Sequence, residues 1–113
     1  MSEAKIQQSI YLWFNNKYCL KFHKPRNIIF SVPNETTSFL ELKRKKQMGL
    51  TSGVSDLIVI IENEVLFVEV KTITGIISDN QKQFRETVER LGFRYYVVRS
   101  LKEFQEIILK YKN

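Results

Sequence analysis

Asp56, Glu69 and Lys71 are the residues whose types and spacing best suit chemistry. Asp56-Leu-Ile-Val-Ile-Ile61 and Val65-Leu-Phe-Val-Glu-Val-Lys71 read as strands, because both are dominated by β-branched and aromatic residues. Only Glu62, Asn63 and Glu64 separate them, which is short enough for a hairpin turn. Running back from that turn brings Asp56 opposite residues 69 to 71, and a one-residue change in loop register shifts this pairing without undoing it. Strand alternation puts Glu69 and Lys71 on one face. Carboxylates at the rim of a Val/Ile/Phe-rich sheet protonate or find a cation. A hard divalent ion such as Mg²⁺, with Mn²⁺ as a substitute, takes oxygen ligands of this kind. It polarises a phosphoryl oxygen, lowers the pKa of a bound water and neutralises a leaving oxyanion. Lys71 would orient that water or offset the charge of a pentavalent phosphorus. The residues alone leave a second reading open, a cross-strand salt bridge on a solvated sheet.

The elements that must position these groups follow from periodicity. A first helix begins after Ser2 and runs to about Lys17, with Ile6, Ile10, Trp13 and Phe14 at helical spacing as core. Asn27 to Val32 reads as a strand stopped by Pro33. A short basic helix is predicted over residues 38 to 47, where Ser38 and Glu41 have capping-box spacing. After the hairpin and a loop around Gly75, a helix over residues 79 to 91 turns Phe84, Val88 and Leu91 inward and stops at Gly92. Phe93 to Val98 makes a strand. Ser100 and Glu103 then cap a helix carrying Leu101, Phe104, Ile107, Ile108 and Tyr111. The predicted order is α-β-α-β-β-α-β-α, an α/β fold with a mixed sheet of about four strands flanked by helices.

Composition narrows the classes of function. With 113 residues, 43% of them hydrophobic, the chain suits one domain over residues 1–113. A net charge of +6 favours a polyanionic partner such as DNA. One cysteine, Cys19, excludes an internal disulfide framework and a cysteine-based zinc site, and reads as a buried small hydrophobe. No apolar run has the length of a membrane span and no secretory segment is seen, so a cytoplasmic location is expected.

Other polar residues divide between plain and functional readings. Lys43-Arg44-Lys45-Lys46 is the densest positive run; such runs are ordinarily a solvated helix face. Here it precedes a small, pliable loop of Gly49, Thr51, Ser52 and Gly53 that leads to Asp56, so it is expected to lie near the active edge. Contacts from it to phosphates would be sequence-independent and salt-sensitive. Lys82, Arg85 and, above all, Arg99 would extend that patch. His23, the sole histidine, has no partners at recognisable spacing and reads as a loop residue. Tyr11 and Trp13 read as helix surface and core. Gln81, third after Ser78, reads plainly as the reciprocal partner of a capping box.

Several ordered blocks carry a resemblance. Gly53-Val-Ser-Asp56, Phe67-Val-Glu-Val-Lys-Thr72, Gly75 with Ser78-Asp-Asn-Gln81, and Tyr96-Val-Val-Arg-Ser100 resemble the VRR-NUC domain of the PD-(D/E)XK nuclease superfamily. Pro33-Asn-Glu35 and the Glu3-bearing first helix also look familial, so the resemblance covers nearly the whole chain. Ser55 departs from the pattern, since the family usually has proline before the aspartate; this alters the turn and removes no ligand.

The resemblance implies a Mg²⁺-dependent endonuclease leaving 5′-phosphate and 3′-hydroxyl ends. Asp56 and Glu69 would hold the metal with the Val70 carbonyl and Glu3, while Glu35 competes for a place nearby. Lys71 would activate the water. Gln81 would sit beside the metal, a role not easily combined with capping. Lys43, Arg44, Lys45, Lys46, Ser52 and Arg99 would meet DNA. Stand-alone domains of this type, typical of bacteriophages, resemble Holliday-junction resolvases and act as homodimers, which implies branched DNA as substrate and, for a phage protein, the host cytoplasm. Two rival readings are a flap, single-strand or duplex nicking nuclease working with a partner, and a non-catalytic basic DNA-binding module.

Overall fold

The computed structural model describes residues 1–33 and 38–112. Four helices and four strands follow in the predicted order: α1 (Glu3–Tyr18), β1 (Ile28–Ser31), α2 (Phe39–Gln47), β2 (Leu57–Ile61), β3 (Glu64–Val70), α3 (Asp79–Arg90), β4 (Arg94–Val98) and α4 (Leu101–Lys112). The strands form one sheet in the order β1-β2-β3-β4. β1, β2 and β3 pair antiparallel, and β4 runs parallel to β3 after the α3 crossover. The expected strands thus close into a single mixed sheet.

Alternation along the strands sorts the sheet into two faces. Leu57, Val59 and Ile61 of β2, with Leu66, Val68 and Val70 of β3, join Ile6, Ile10 and Phe14 of α1 and Phe104 and Ile108 of α4 in one core. Phe14 meets Phe104 edge-on at 5.8 Å between ring centroids, which locks the two helices together beneath the sheet. The opposite face is covered by α3. There Phe84 packs against Phe67 of β3 at 5.7 Å and against Tyr95 of β4 at 6.2 Å. Odd-numbered β3 residues therefore look toward α3, and Glu69 is among them.

Local signals fix the element ends. Ser2 caps α1 by accepting from the Lys5 amide, and Ser38 does the same for Glu41 at the start of α2. The hairpin turn is tighter than the three residues expected: Ile61 pairs with Glu64, leaving Glu62-Asn63 as the turn with Asn63 at φ 64°. Leu91 is also different from expectation. It falls at the C-cap of α3 and is 70% exposed, because the helix ends at Arg90 before the inward stripe reaches it. Phe84 and Val88 alone carry that face inward. His23 is a loop residue whose Nδ1 accepts from the Leu20 amide, and Cys19 is buried. Among the described residues no helix is long and apolar enough to cross a membrane.

Candidate active site

The register from Leu57 opposite Val68 carries Asp56 and Glu69 to neighbouring places at the open end of the hairpin. Asp56 turns its carboxylate onto β3, where Oδ2 accepts from the Val70 amide at 2.8 Å. Its own carbonyl accepts from Val32, so the residue is pinned on both sides. Ser55 just before it is fully buried and donates its hydroxyl to the Leu57 carbonyl at 3.1 Å. That bond makes the sharp approach to Asp56 without the proline usual in the resembling family. The turn is altered and the carboxylate stays in place.

Glu69 is the unusual group of the molecule. It is a carboxylate only 2% exposed on a sheet of aliphatic neighbours. One oxygen, Oε2, accepts from Gln81 Nε2 at 2.8 Å and lies 3.6 Å from Lys71 Nζ. The other oxygen, Oε1, is buried without a hydrogen-bond partner. Burial and the neighbouring Asp56 charge push its pKa up to about 7, against the opposing pull of Lys71. A buried carboxylate oxygen without a partner is costly. Two adjacent carboxylates, one of them with an orphaned buried oxygen, form a hard-oxygen donor set that fits a divalent cation. Lys71 stands on the same face as Glu69, as strand alternation requires, with its side chain 15% exposed.

Gln81 corrects one expectation. Its Oε1 accepts from the Ser78 amide at 2.8 Å while its Nε2 holds Glu69, and its amide donates to Ser78 Oγ. The two ends of one carboxamide thus complete the capping box and hold the Glu69 carboxylate together. One side chain makes the capping bond and the bond to Glu69 at once, because amide oxygen and nitrogen point in opposite directions.

Gly53 makes this possible. It sits at φ 84°, and a Cβ there would lie 2.2 Å from the Asn80 carbonyl oxygen. The loop before Asp56 therefore packs directly on the first turn of α3. Lys46, Ser52, Gly53, Asn80 and Gln81 line the resulting cleft of about 400 Å³, and Gln81 connects it to Glu69. Of the predicted DNA-contacting residues, the structure brings Lys46 and Ser52 to this cleft. Lys43, Arg44 and Lys45 belong to α2, a helix with no buried residue, and Lys45 pairs with Glu41 at 2.9 Å.

Arg99 has a role that its place in the sequence does not announce. Its Nη1 donates to the carbonyls of Thr72 and Gly75 at 2.6 Å each, and more weakly to Ile73 at 3.4 Å. It clasps the loop that immediately follows Lys71. Tyr95 also escaped the sequence reading: it is buried behind the site, its hydroxyl has no partner, and its pKa is raised by burial and by the charges of Glu69 and Asp56. An aromatic in a strand gives no hint of this.

Glu3 occupies the exposed first turn of α1. Among the described residues no third acidic, histidine or cysteine side chain joins Asp56 and Glu69. Glu35, with Asn34, lies outside the described residues.

A family model of the VRR-NUC domain matches residues 1–102. A solved structure described as a VRR_NUC domain protein superposes with a TM-score of 0.78 at 21% identity, covering 98% of this chain and 88% of its own. No curated protein matches the sequence.

Proposed function

We infer, because the chain belongs to the VRR-NUC domain family, that its Asp56–Glu69–Lys71 rim hydrolyses phosphodiester bonds with the help of a divalent metal. The family match makes this a nuclease-type, DNA-processing domain. The observation that carries the finer reading is the orphaned Oε1 of a buried Glu69 beside Asp56. Asp56, Glu69 and the Val70 carbonyl would hold Mg²⁺ or Mn²⁺, with Glu3 as a further candidate. When bound, such an ion supplies Lewis-acid polarisation of the phosphate and an acidified water.

The chain's own groups then divide the remaining work. Lys71 would orient the attacking water or offset charge on the phosphate, a reading supported by its position 3.6 Å from Glu69 Oε2. Gln81 fixes the plane of Glu69 through Oε2, leaving Oε1 turned away from that bond. Lys46 and Ser52 line the approach, and Lys43, Arg44 and Lys45 add unspecific attraction for the DNA backbone. Arg99 orders the loop after Lys71, and its remaining guanidinium face would meet phosphate. Branched DNA is the preferred substrate in this reading, with 5′-phosphate and 3′-hydroxyl products. A two-fold homodimer would present two equivalent rims, the symmetry that paired cuts across a four-way junction require.

Labelled four-way junction, flap and plain duplex, each offered with Mg²⁺, Mn²⁺ or EDTA, test this with wild type and Lys71→Ala. Paired symmetric cuts that need both metal and Lys71 are expected. Cleavage of flap or duplex alone would keep the metal centre and discard the junction. Binding without cleavage under every metal would leave a basic DNA-binding module in its place.

A further inference from the structure

Positive charge also gathers at the end of the sheet away from the carboxylate rim. α1 and α4 lie side by side and run in the same direction. Their first turns share one cavity, which Met1 and Ile6 line together with Leu101 and Gln105. Their last turns also meet, where Lys112 Nζ lies 4.7 Å from the Tyr18 ring centroid and bonds to Asn27 Oδ1. A loop over residues 19–27 leaves this end, and Ile28 after it pairs with Ile60 beside the hairpin turn. Asp56 stands at the opposite end of β2, roughly 15 Å away at about 3.3 Å per residue.

Residues 17–26 hold four cations, Lys17, Lys21, Lys24 and Arg26, and no acid. Lys110 and Lys112 join them from the last turn of α4. Against these six stand Glu62 and Glu64 at the hairpin turn, and among the described residues none of the six forms an ion pair. Helix ends explain part of the cluster. Lys17, Lys110 and Lys112 complement the partial negative charge where α1 and α4 finish. Arg26 serves the fold, donating from Nε to the Cys19 carbonyl at 2.7 Å. Lys21 and Lys24 are different. Both are exposed, belong to no helix, and flank Phe22, which is 73% exposed with its ring against His23 at 4.5 Å. Like charges gathered at one end repel one another, and a polyanion lying across them offsets that repulsion.

We propose that this end of the domain is a second contact for the DNA backbone, centred on Lys21 and Lys24, which holds one duplex arm while the rim acts elsewhere on the same molecule. The proposal rests on the nuclease reading above. Lysines on an exposed loop reach phosphates without reading bases, so the contact steadies the DNA and carries no sequence preference. Branched DNA suits two separated contacts, because its arms leave the branch in different directions.

The test uses the full chain with Lys21→Gln and Lys24→Gln together. Binding of a fluorescent four-way junction is measured over a salt series in EDTA. The double variant should bind roughly tenfold more weakly, with a salt slope smaller by about 1.8, two cations at about 0.9 each on duplex. With Mg²⁺ it should need more junction for half-maximal cleavage, while its rate at saturating DNA stays within about twofold. Position is read with an iron–EDTA tether on Lys24→Cys, since the native Cys19 is buried. Radicals from the tether should cut the arms at one place, roughly 4–5 base pairs from the exchange point at about 3.4 Å per pair. An unchanged salt slope, or tethered cuts that are absent or spread evenly, would overturn the second contact. A saturated rate that falls as far as the affinity would overturn it too, by placing these lysines in the reaction. Thermal melts show whether the double variant folds, and the tethered single variant tests placement where it does not. Failure of the nuclease reading shows elsewhere, as absence of metal-dependent cleavage of any DNA by wild type.

Discussion

The hairpin rim and helix α2 carry charge in opposite ways. At the rim, Asp56, Glu69 and Lys71 gather at the open end of the β2–β3 hairpin, whose residues are all buried or half-buried. On α2, four consecutive basic residues ride a helix without one buried residue. Rim charges keep little water, least of all Glu69, so they depend on specific neighbours, and the shortfall concentrates on Glu69 Oε1. The α2 charges keep their water and depend on little. Chemistry needs the first arrangement, because desolvated groups interact strongly and hold fixed positions. Long-range attraction for a polyanion needs only the second.

The contrast breaks most sharply through catalysis. Asp56→Asn or Glu69→Gln is expected to lower cleavage by about 10³-fold or more, whereas neutralising any one α2 cation should leave the rate constant at saturating DNA within about twofold. Single-turnover rates on one DNA compare them directly. Comparable losses at both places would mean that the rim has no privileged role.

Gly53→Ala comes next, since it strikes the contact holding the two halves of the site together. The added carbon meets the Asn80 carbonyl at a backbone angle that only glycine adopts easily. Destabilisation of about 2–4 kcal/mol is expected, read from denaturant midpoints. Gly49→Ala gives the control: its φ is also positive, with no atom near the added carbon, so about 1 kcal/mol should suffice.

The buried carboxylate should also show itself in the pH dependence of metal-free protein. Glu69 has a folded pKa of about 7, above its unfolded value of 4.5, so the folded state binds the extra proton between these limits. Stability therefore falls as pH rises through that window, by a contribution on the order of 2–3 kcal/mol. Urea titrations in EDTA should show the slope in wild type and lose it in Glu69→Gln. A divalent ion should offset the loss above about pH 7.

The smallest effects belong to α2. Lys43→Gln or Arg44→Gln should weaken binding of every DNA alike and reduce the salt slope by about 1 for each phosphate no longer neutralised. Fluorescence anisotropy at several salt concentrations measures it. A sequence- or structure-dependent effect would show that α2 does more than attract.

Much of this was legible in the chain. Alternating β-branched residues and a short polar turn were enough to place Asp56 beside Glu69 and to set Lys71 on the Glu69 face, because strand geometry is periodic and local. Caps at Ser2, Ser38 and Ser78 were equally local, and α3 alone ended a residue early with Leu91 in water. The double use of Gln81 was not legible. It depends on α3 lying over β3 at a distance that only packing between Phe84, Phe67 and Tyr95 sets.

By itself the sequence determined the order of elements, the hairpin and the company that Asp56, Glu69 and Lys71 keep, since all of these rest on neighbours within a few residues or across one turn. Tertiary structure alone decided which oxygen of Glu69 is left without a partner, that Gly53 must touch Asn80, and that Arg99 reaches back to Thr72 and Gly75. Those outcomes join segments tens of residues apart. Their physical cause is how far water is excluded where the segments meet, a property of the packed sheet and helices that no local pattern encodes.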